Sequence, residues 1–185
     1  GGMDLGYDGD VTTITYRNTS HALSLTFLPG ADAWQPELPS VVTRGASTTT
    51  YHYDDASHPT LPSSITDPLG NSHVFHYDTR GNMLEESHPL GAVTQYEYDA
   101  FNNVTRILDA RSNATDYGYD AQGNLVTIEK PEGGLTTLER DGRGQVTRVT
   151  DFAGSTVFDH DSYGNLTRVT DALGHHVDLI VDTVG

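Results

Sequence analysis

Tyr117-Gly118-Tyr119-Asp120-Ala121-Gln122-Gly123-Asn124, continued by Leu125-Val126-Thr127-Ile128-Glu129, carries the fold of this chain in miniature. Asp120 stands where a turn begins, because a short carboxylate accepts a hydrogen bond from the backbone two residues on. Gly123, in the fourth position, suits the positive φ of a hairpin that carries a bulge. Asn124 closes the turn with an amide. Working outward, the same device returns: Asp78, Asp99, Asp120, Asp141, Asp161 and Asp182 follow one another at 21, 21, 21, 20 and 21 residues. A fixed period of that length marks a repeat architecture. The fourth position reads Gly81, Asn102, Gly123, Gly144, Gly164, and the fifth reads Asn82, Asn103, Asn124, Gln145, Asn165. Asn shares with glycine a tolerance for left-handed backbone.

Ten residues after each opening Asp comes a second turn: His88-Pro89-Leu90-Gly91, Asp109-Ala110-Arg111-Ser112, Lys130-Pro131-Glu132-Gly133, Asp151-Phe152-Ala153-Gly154 and Asp171-Ala172-Leu173-Gly174. Each unit therefore holds two turns and two short runs. In the run before each opening Asp, alternate positions read Thr94, Tyr96, Tyr98; Thr115, Tyr117, Tyr119; Thr136, Leu138, Arg140; Thr156, Phe158, His160; and Val177, Leu179, Val181. Gln95, Glu97, Asp116, Gly118, Glu139 and Asp159 fill the opposite parity. A period of two, rich in β-branched and aromatic residues, predicts strands with one aromatic face and one wet face. The other run, such as Asn165-Leu166-Thr167-Arg168-Val169-Thr170, alternates less cleanly and leaves its parity open.

The expected fold is all-β: tandem hairpins laid side by side as a curved antiparallel sheet. Five repeats occupy 78–98, 99–119, 120–140, 141–160 and 161–181. A divergent first unit covers 41–77 and is stretched by an insertion at Asp54 to Asp67 that contains His58-Pro59 and Leu61-Pro62. Residues 1–40 form a less regular region. There, Val11 to Arg17 and His21 to Leu28 suggest two more strands, and Pro29-Gly30, Pro36 and Pro39 break the pattern around Trp34. Trp34 reads as a plug at the end of a sheet, with a sugar-stacking platform as the alternative. The closing Val181-Asp182 looks like the opening of a further unit, so a longer array is expected.

Composition narrows the functions. The 185 residues carry a net charge of −16, with Lys130 as the single lysine beside nine arginines. That balance argues against nucleic acid, whose phosphates require a basic face, and against anionic membrane surfaces. It suits solubility, since charge protects strand edges from pairing with other chains. No cysteine is present, so disulfides and thiolate chemistry drop out.

No catalytic or metal constellation emerges along the chain. The oxygen-rich turns lack the acidic series and terminal Glu of a calcium loop. His73 with His76, and His175 with His176, point to opposite faces of a strand and do not chelate one ion together. Asp54-Asp55 and Glu85-Glu86 meet the same obstacle as an acid and base pair, although carboxylates of neighbouring units could converge. No metal and no cofactor is expected.

These units resemble the YD repeats of RHS proteins. The resemblance rests on Tyr96-Glu97-Tyr98-Asp99, Tyr117-Gly118-Tyr119-Asp120, the Asp-x-x-Gly-Asn turn, the run from Asn165 to Asp171, and Asp67-Pro68-Leu69-Gly70-Asn71. It extends from about Val41 onward, and the Tyr-Asp pair becomes Arg140-Asp141, His160-Asp161 and Val181-Asp182 in the last units. It implies a segment of a β-strand spiral that closes into a hollow shell and encloses a C-terminal toxin. The expected partners are then the remaining segments of that shell and its cargo, and the expected location is outside the cell after export by a bacterial secretion system. The residues expected to carry the architecture are Asp78, Gly81, Asn82, Gly91, Tyr96, Tyr98, Asp99, Asn103, Tyr117, Tyr119, Asp120, Gly123, Asn124, Asp141, Gly144, Asp161, Gly164 and Asn165; none is expected to be catalytic. Two alternatives belong to other classes. One is a carbohydrate-binding or adhesion module that stacks glycans on Tyr96, Tyr98, Tyr117 and Tyr119. The other is a glycoside hydrolase built from carboxylates of adjacent repeats.

Overall fold

The computed structural model describes residues 2–8, 11–18, 21–28 and 38–180, with side chains for 15, 23–27 and 38–180. Trp34, Val181 and Asp182 lie outside the described residues. The chain divides into two units, residues 1–95 and 96–185, with the boundary inside one strand.

The first unit is an antiparallel meander of β1 (Gly2–Asp8), β2 (Val11–Asn18), β3 (His21–Leu28), β4 (Leu38–Arg44), β5 (Ser47–His52), β6 (Ser64–Thr66), β7 (Ser72–Tyr77), β8 (Met83–Ser87) and β9 (Val93–Tyr98), in which each strand pairs with the next. The two strands expected near the N-terminus are β2 and β3. β1 is an addition: its glycines and aspartates give it little strand character of its own, and it is held by register with β2 from Gly2↔Arg17 to Asp8↔Val11. The insertion expected at Asp54 to Asp67 is shorter in the structure, because Ser64–Thr66 pairs with β5 as β6 and only residues 53–63 lie between the two strands. Asp55 starts a turn by accepting from the Ser57 amide at 2.9 Å and pairing with His58 Nδ1 at 2.8 Å. That turn sets the His58 ring 5.8 Å from the ring of Tyr77.

The second unit repeats one hairpin: β10 (Val104–Leu108), β11 (Ala114–Tyr119), β12 (Leu125–Glu129), β13 (Leu135–Arg140), β14 (Val146–Asp151), β15 (Gly154–His160), β16 (Leu166–Thr170) and β17 (His176–Asp178), again each antiparallel to the next. Register answers the parity question that sequence left open. Residues opposite one another in an antiparallel pair share a face. Tyr117↔Ile128, Leu138↔Val149 and Phe158↔Val169 thus make the apolar face, and Glu139↔Arg148 and Asp159↔Arg168 lie on the other. A bulge recurs just before each opening turn, at Gly118/Tyr119, Glu139/Arg140 and Asp159/His160. It is the irregularity that a glycine in the fourth turn position predicts.

Among the described residues no side chain, apolar or polar, is fully buried. A domain ordinarily covers the apolar face of a sheet with a second layer. Here hydrogen-bonded ladders and cross-strand pairs hold each unit together, and the faces stay accessible.

Candidate functional site

The opening turn is built within five residues. In the turn at Asp120, Oδ1 accepts from the amides of Gln122 and Asn124, both at 2.9 Å, while Oδ2 accepts from Asn124 Nδ2 at 3.0 Å. The Gly123 amide donates to the Asp120 carbonyl at 3.0 Å, and φ at Gly123 is 82°. The same box forms at Asp78 with Asn82, Asp99 with Asn103 and Asp161 with Asn165. At Asp141 the closing residue is Gln145. Its longer side chain passes Asp141 and donates from Nε2 to the Gly164 carbonyl of the next turn at 2.6 Å. The turns also lie close to one another along this edge of the second unit. A Cβ added at Gly144 would come 3.9 Å from Asn124 Oδ1, and one at Gly164 would come 3.1 Å from Gln145 Nε2. Second turns use the box too, at Asp67, Asp109 and Asp171. The positive φ of Gly91 is 87°, and Leu90 beside it is also left-handed at 72°.

These bonds set the charge of the aspartates. Burial pushes the Asp78 carboxyl up, but bonds from the Asn82 backbone and side chain, the Arg80 amide and the Arg80 charge outweigh it and hold the pKa at about 2. Side-chain bonds from Asn71, Asn113, Asn124 and Asn165 likewise lower Asp67, Asp109, Asp120 and Asp161. Each acts as an ionised acceptor of at least three hydrogen bonds within its own turn.

The residue before the opening Asp has its own task at Asp78, Asp120 and Asp141. The Tyr119 hydroxyl donates to the Val104 carbonyl at 2.8 Å, and the Tyr77 hydroxyl to the Pro62 carbonyl at 2.9 Å. In both cases the acceptor lies fifteen residues upstream. Arg140 takes the same route, reaching the Leu125 carbonyl at 3.3 Å and the Gly144 carbonyl at 2.8 Å. The change from Tyr to Arg thus preserves a donor. Tyr96 and Tyr98 lie half-buried in β9, while Tyr117 helps line a cleft of roughly 690 Å³ with Phe101, Thr105 and Tyr119.

Carboxylates of adjacent repeats do gather in one place. Glu139, Asp141, Asp159 and Asp161 line an open cleft of roughly 430 Å³ with Arg143 and Arg148. Two of these acids serve their own turns, and Glu139 pairs with Arg148 at 3.4 Å. On the same wet face Arg106 bonds Asp116, and Arg168 bonds Asp178, each at 2.6 Å.

One cluster escaped the strand-by-strand reading of the histidines. His73 and His76 alternate across β7 as expected, half-buried and exposed respectively. The partner of His73 lies instead across the hairpin. His73 Nδ1 is 2.9 Å from Glu86 Oε1, and His88 Nδ1 is 3.5 Å from the same oxygen. The two imidazoles meet edge-on with centroids 5.2 Å apart. Only the folded register, Val74↔Ser87 and Phe75↔Glu86, brings these three residues together. The expectation of no metal rested on the turns lacking a calcium-loop pattern and on histidine pairs within a single strand, and did not cover this geometry.

The RHS Repeat family model matches residues 77–114, 98–136, 119–156 and 140–176, together more than half of the chain. This chain belongs to the RHS repeat family. A search of curated proteins finds no significant match. Solved structures similar to this RHS chain include TcdB2-TccC3-Cdc42 (17% identity, TM-score 0.60) and the Photorhabdus luminescens Tc holotoxin pore with a TccC3 variant (16%, 0.59). Each likeness covers 89% of this chain and 9% of the solved chain, so this RHS chain spans under a tenth of the length of those proteins. At that identity the likeness establishes the fold: an all-β antiparallel RHS repeat sheet. Among the described residues no helix is long and apolar enough to cross a membrane.

Proposed function

We propose that this chain is a non-catalytic wall segment of an RHS shell that encloses a toxin exported from a bacterial cell. The observation that carries this reading is the absence of any fully buried side chain among the described residues. A sheet whose apolar face, with Tyr117, Ile128, Leu138, Val149, Phe158 and Val169, has no second layer of its own suits a structure completed by further segments and contents. The mechanism is enclosure. The ladder ties up backbone donors and acceptors, and the turn boxes and tyrosine hydroxyls pin successive hairpins. Both similar solved structures contain TccC3 by their names, and one is a Tc holotoxin pore, which supports the same reading. Three of the four carboxylates that line the cleft with Arg143 and Arg148 are bound to their turns or to arginine, which favours a structural role over hydrolysis.

The test is cryo-EM of the natural polypeptide that contains this stretch, together with native mass spectrometry of material purified from its source. Strands of this stretch forming part of a wall around enclosed density are expected. A separate globular domain with its own closed core would overturn the proposal. The cleft beside Tyr117 and the 82% exposed Phe101 favours glycan stacking as a second reading. A glycan array on which Tyr117→Ala removes every hit would move weight to it, and an array without hits would remove it.

A further inference from the structure

The hairpin of β7 and β8 departs from its repeats at three positions, and the three meet at one point. Where this hairpin has His73, the later units have Thr115, Thr136 and Thr156; where it has Glu86, they have Ile128, Val149 and Val169; where it has His88, they have Lys130, Asp151 and Asp171. The register is the same throughout, since Phe75↔Glu86 occupies the position of Tyr117↔Ile128. Glu86 therefore places a carboxylate on the face that every later unit keeps apolar. A carboxylate on such a surface loses hydration unless a cation or donors replace it.

We infer that His73, Glu86 and His88 form a binding site for a divalent transition-metal ion, with Zn2+ as the ion that suits two imidazoles and one carboxylate. One ligand atom from each of the three lies within 4.8 Å of the others. Metal to ligand distances of about 2.0–2.1 Å in a tetrahedral site imply ligand separations of roughly 3.3 Å. The present gaps of 2.9 Å from Glu86 Oε1 to His73 Nδ1 and 3.5 Å to His88 Nδ1 bracket that value. Along these two edges an ion requires adjustments of tenths of an ångström, and the two imidazoles close on it from within 4.8 Å of each other. His88 Nε2 lies 3.1 Å from Thr94 Oγ1. With Nε2 protonated and donating to that hydroxyl, Nδ1 is left as the lone-pair donor, and the ring is oriented toward Glu86. Imidazole nitrogen selects zinc and its neighbours over calcium or magnesium, which prefer all-oxygen sites. The side chains of His73, Glu86 and His88 are 38%, 20% and 33% exposed, so an ion has a path in and the fourth position is open to water.

The test is Zn2+ titration of the tag-free chain by calorimetry, with histidine side-chain NMR on the same samples. The expected result is saturation at one ion per chain, with imidazole shifts at His73 and His88. Affinity should drop by about 10-fold in Thr94→Val and by more in His73→Ala and in Glu86→Gln. His175→Ala and His176→Ala should bind as the unsubstituted chain does. Circular dichroism identifies any variant that fails to fold, and the NMR shifts of the unsubstituted protein decide the matter without variants. No saturable binding, shifts confined to other histidines, or affinity that follows His175 and His176 would each overturn the inference.

Discussion

The hairpins β7–β8 and β11–β12 are the same object in backbone terms and different objects in chemistry. Both have a bulge one residue before the opening turn, both close with an Asp-x-x-Gly-Asn box, and both send a tyrosine hydroxyl to a carbonyl fifteen residues back. One then presents His73, Glu86 and His88 where the other presents Thr115, Ile128 and Lys130. The comparison teaches that turn and register survive the exchange of three residues on the strand face and beside it. The strand faces are free to carry other duties.

The largest effect should come from removing what the hairpins share. The turn carboxylates have folded pKa values below their unfolded ones. Their contribution is therefore present above the ordinary value of 3.8 and is lost as pH falls through the folded value, which is about 2 for Asp78. Protonating other acids relieves the repulsion of a −16 chain, so the informative quantity is a difference. Asp78→Asn, which sets an amide donor against the Asn82 amide, should be less stable near neutral pH. It should also lose less stability than the unsubstituted chain between about pH 4 and pH 2, measured by urea unfolding at each pH. Parallel curves would mean that the box contributes nothing through its charge.

A backbone change comes next. Gly154 has φ of 120°, and a Cβ there would approach the Ala172 Cβ at 2.6 Å. Gly154→Val should cost roughly 2–4 kcal/mol in chemical denaturation. A loss under about 0.5 kcal/mol would show that the second turns relax freely. Smaller still is the latch. Tyr119→Phe deletes one hydrogen bond to the Val104 carbonyl and should cost about 0.5–1.5 kcal/mol. Arg140→Tyr should be tolerated, whereas Arg140→Met should resemble the Tyr119→Phe loss. Equal behaviour of the two Arg140 variants would break the equivalence of Tyr and Arg at this position. The smallest effect sharpens the difference between the two hairpins: Glu86→Ile restores the apolar pair with Phe75 and should raise metal-free stability by about 0.2–1 kcal/mol.

The parts legible in sequence were those whose causes are local. Asp120 and Asn124 act within one turn, and Tyr117 with Tyr119 declares a face by simple alternation, so the hairpins and their period could be read directly. The run from Leu166 to Thr170 mixes Thr, Arg and Val, and its orientation emerged only from pairing with β15. β1 is defined by β2 rather than by its own residues. His73 and His88 are fifteen residues apart, and seeing them as neighbours requires folding the chain at Asp78 and allowing for the bulge at His76/Tyr77. A mirror reading about each opening turn, rather than a walk along each strand, would have found them.

The repeat that is one residue shorter than the rest shows where this design bends. Between Thr150 and Ser155 lie four residues, where Glu129 and Leu135 enclose five, yet the strands on either side keep their faces. The deletion is absorbed at the corner. A strand cannot lose one residue without turning its side chains over, but a corner can. The molecule thus has a reading frame of its own, held along the strands and free to vary in length at the corners. The corner between β5 and β6 runs through residues 53–63, whereas the corner between β14 and β15 is the two-residue tip Phe152-Ala153.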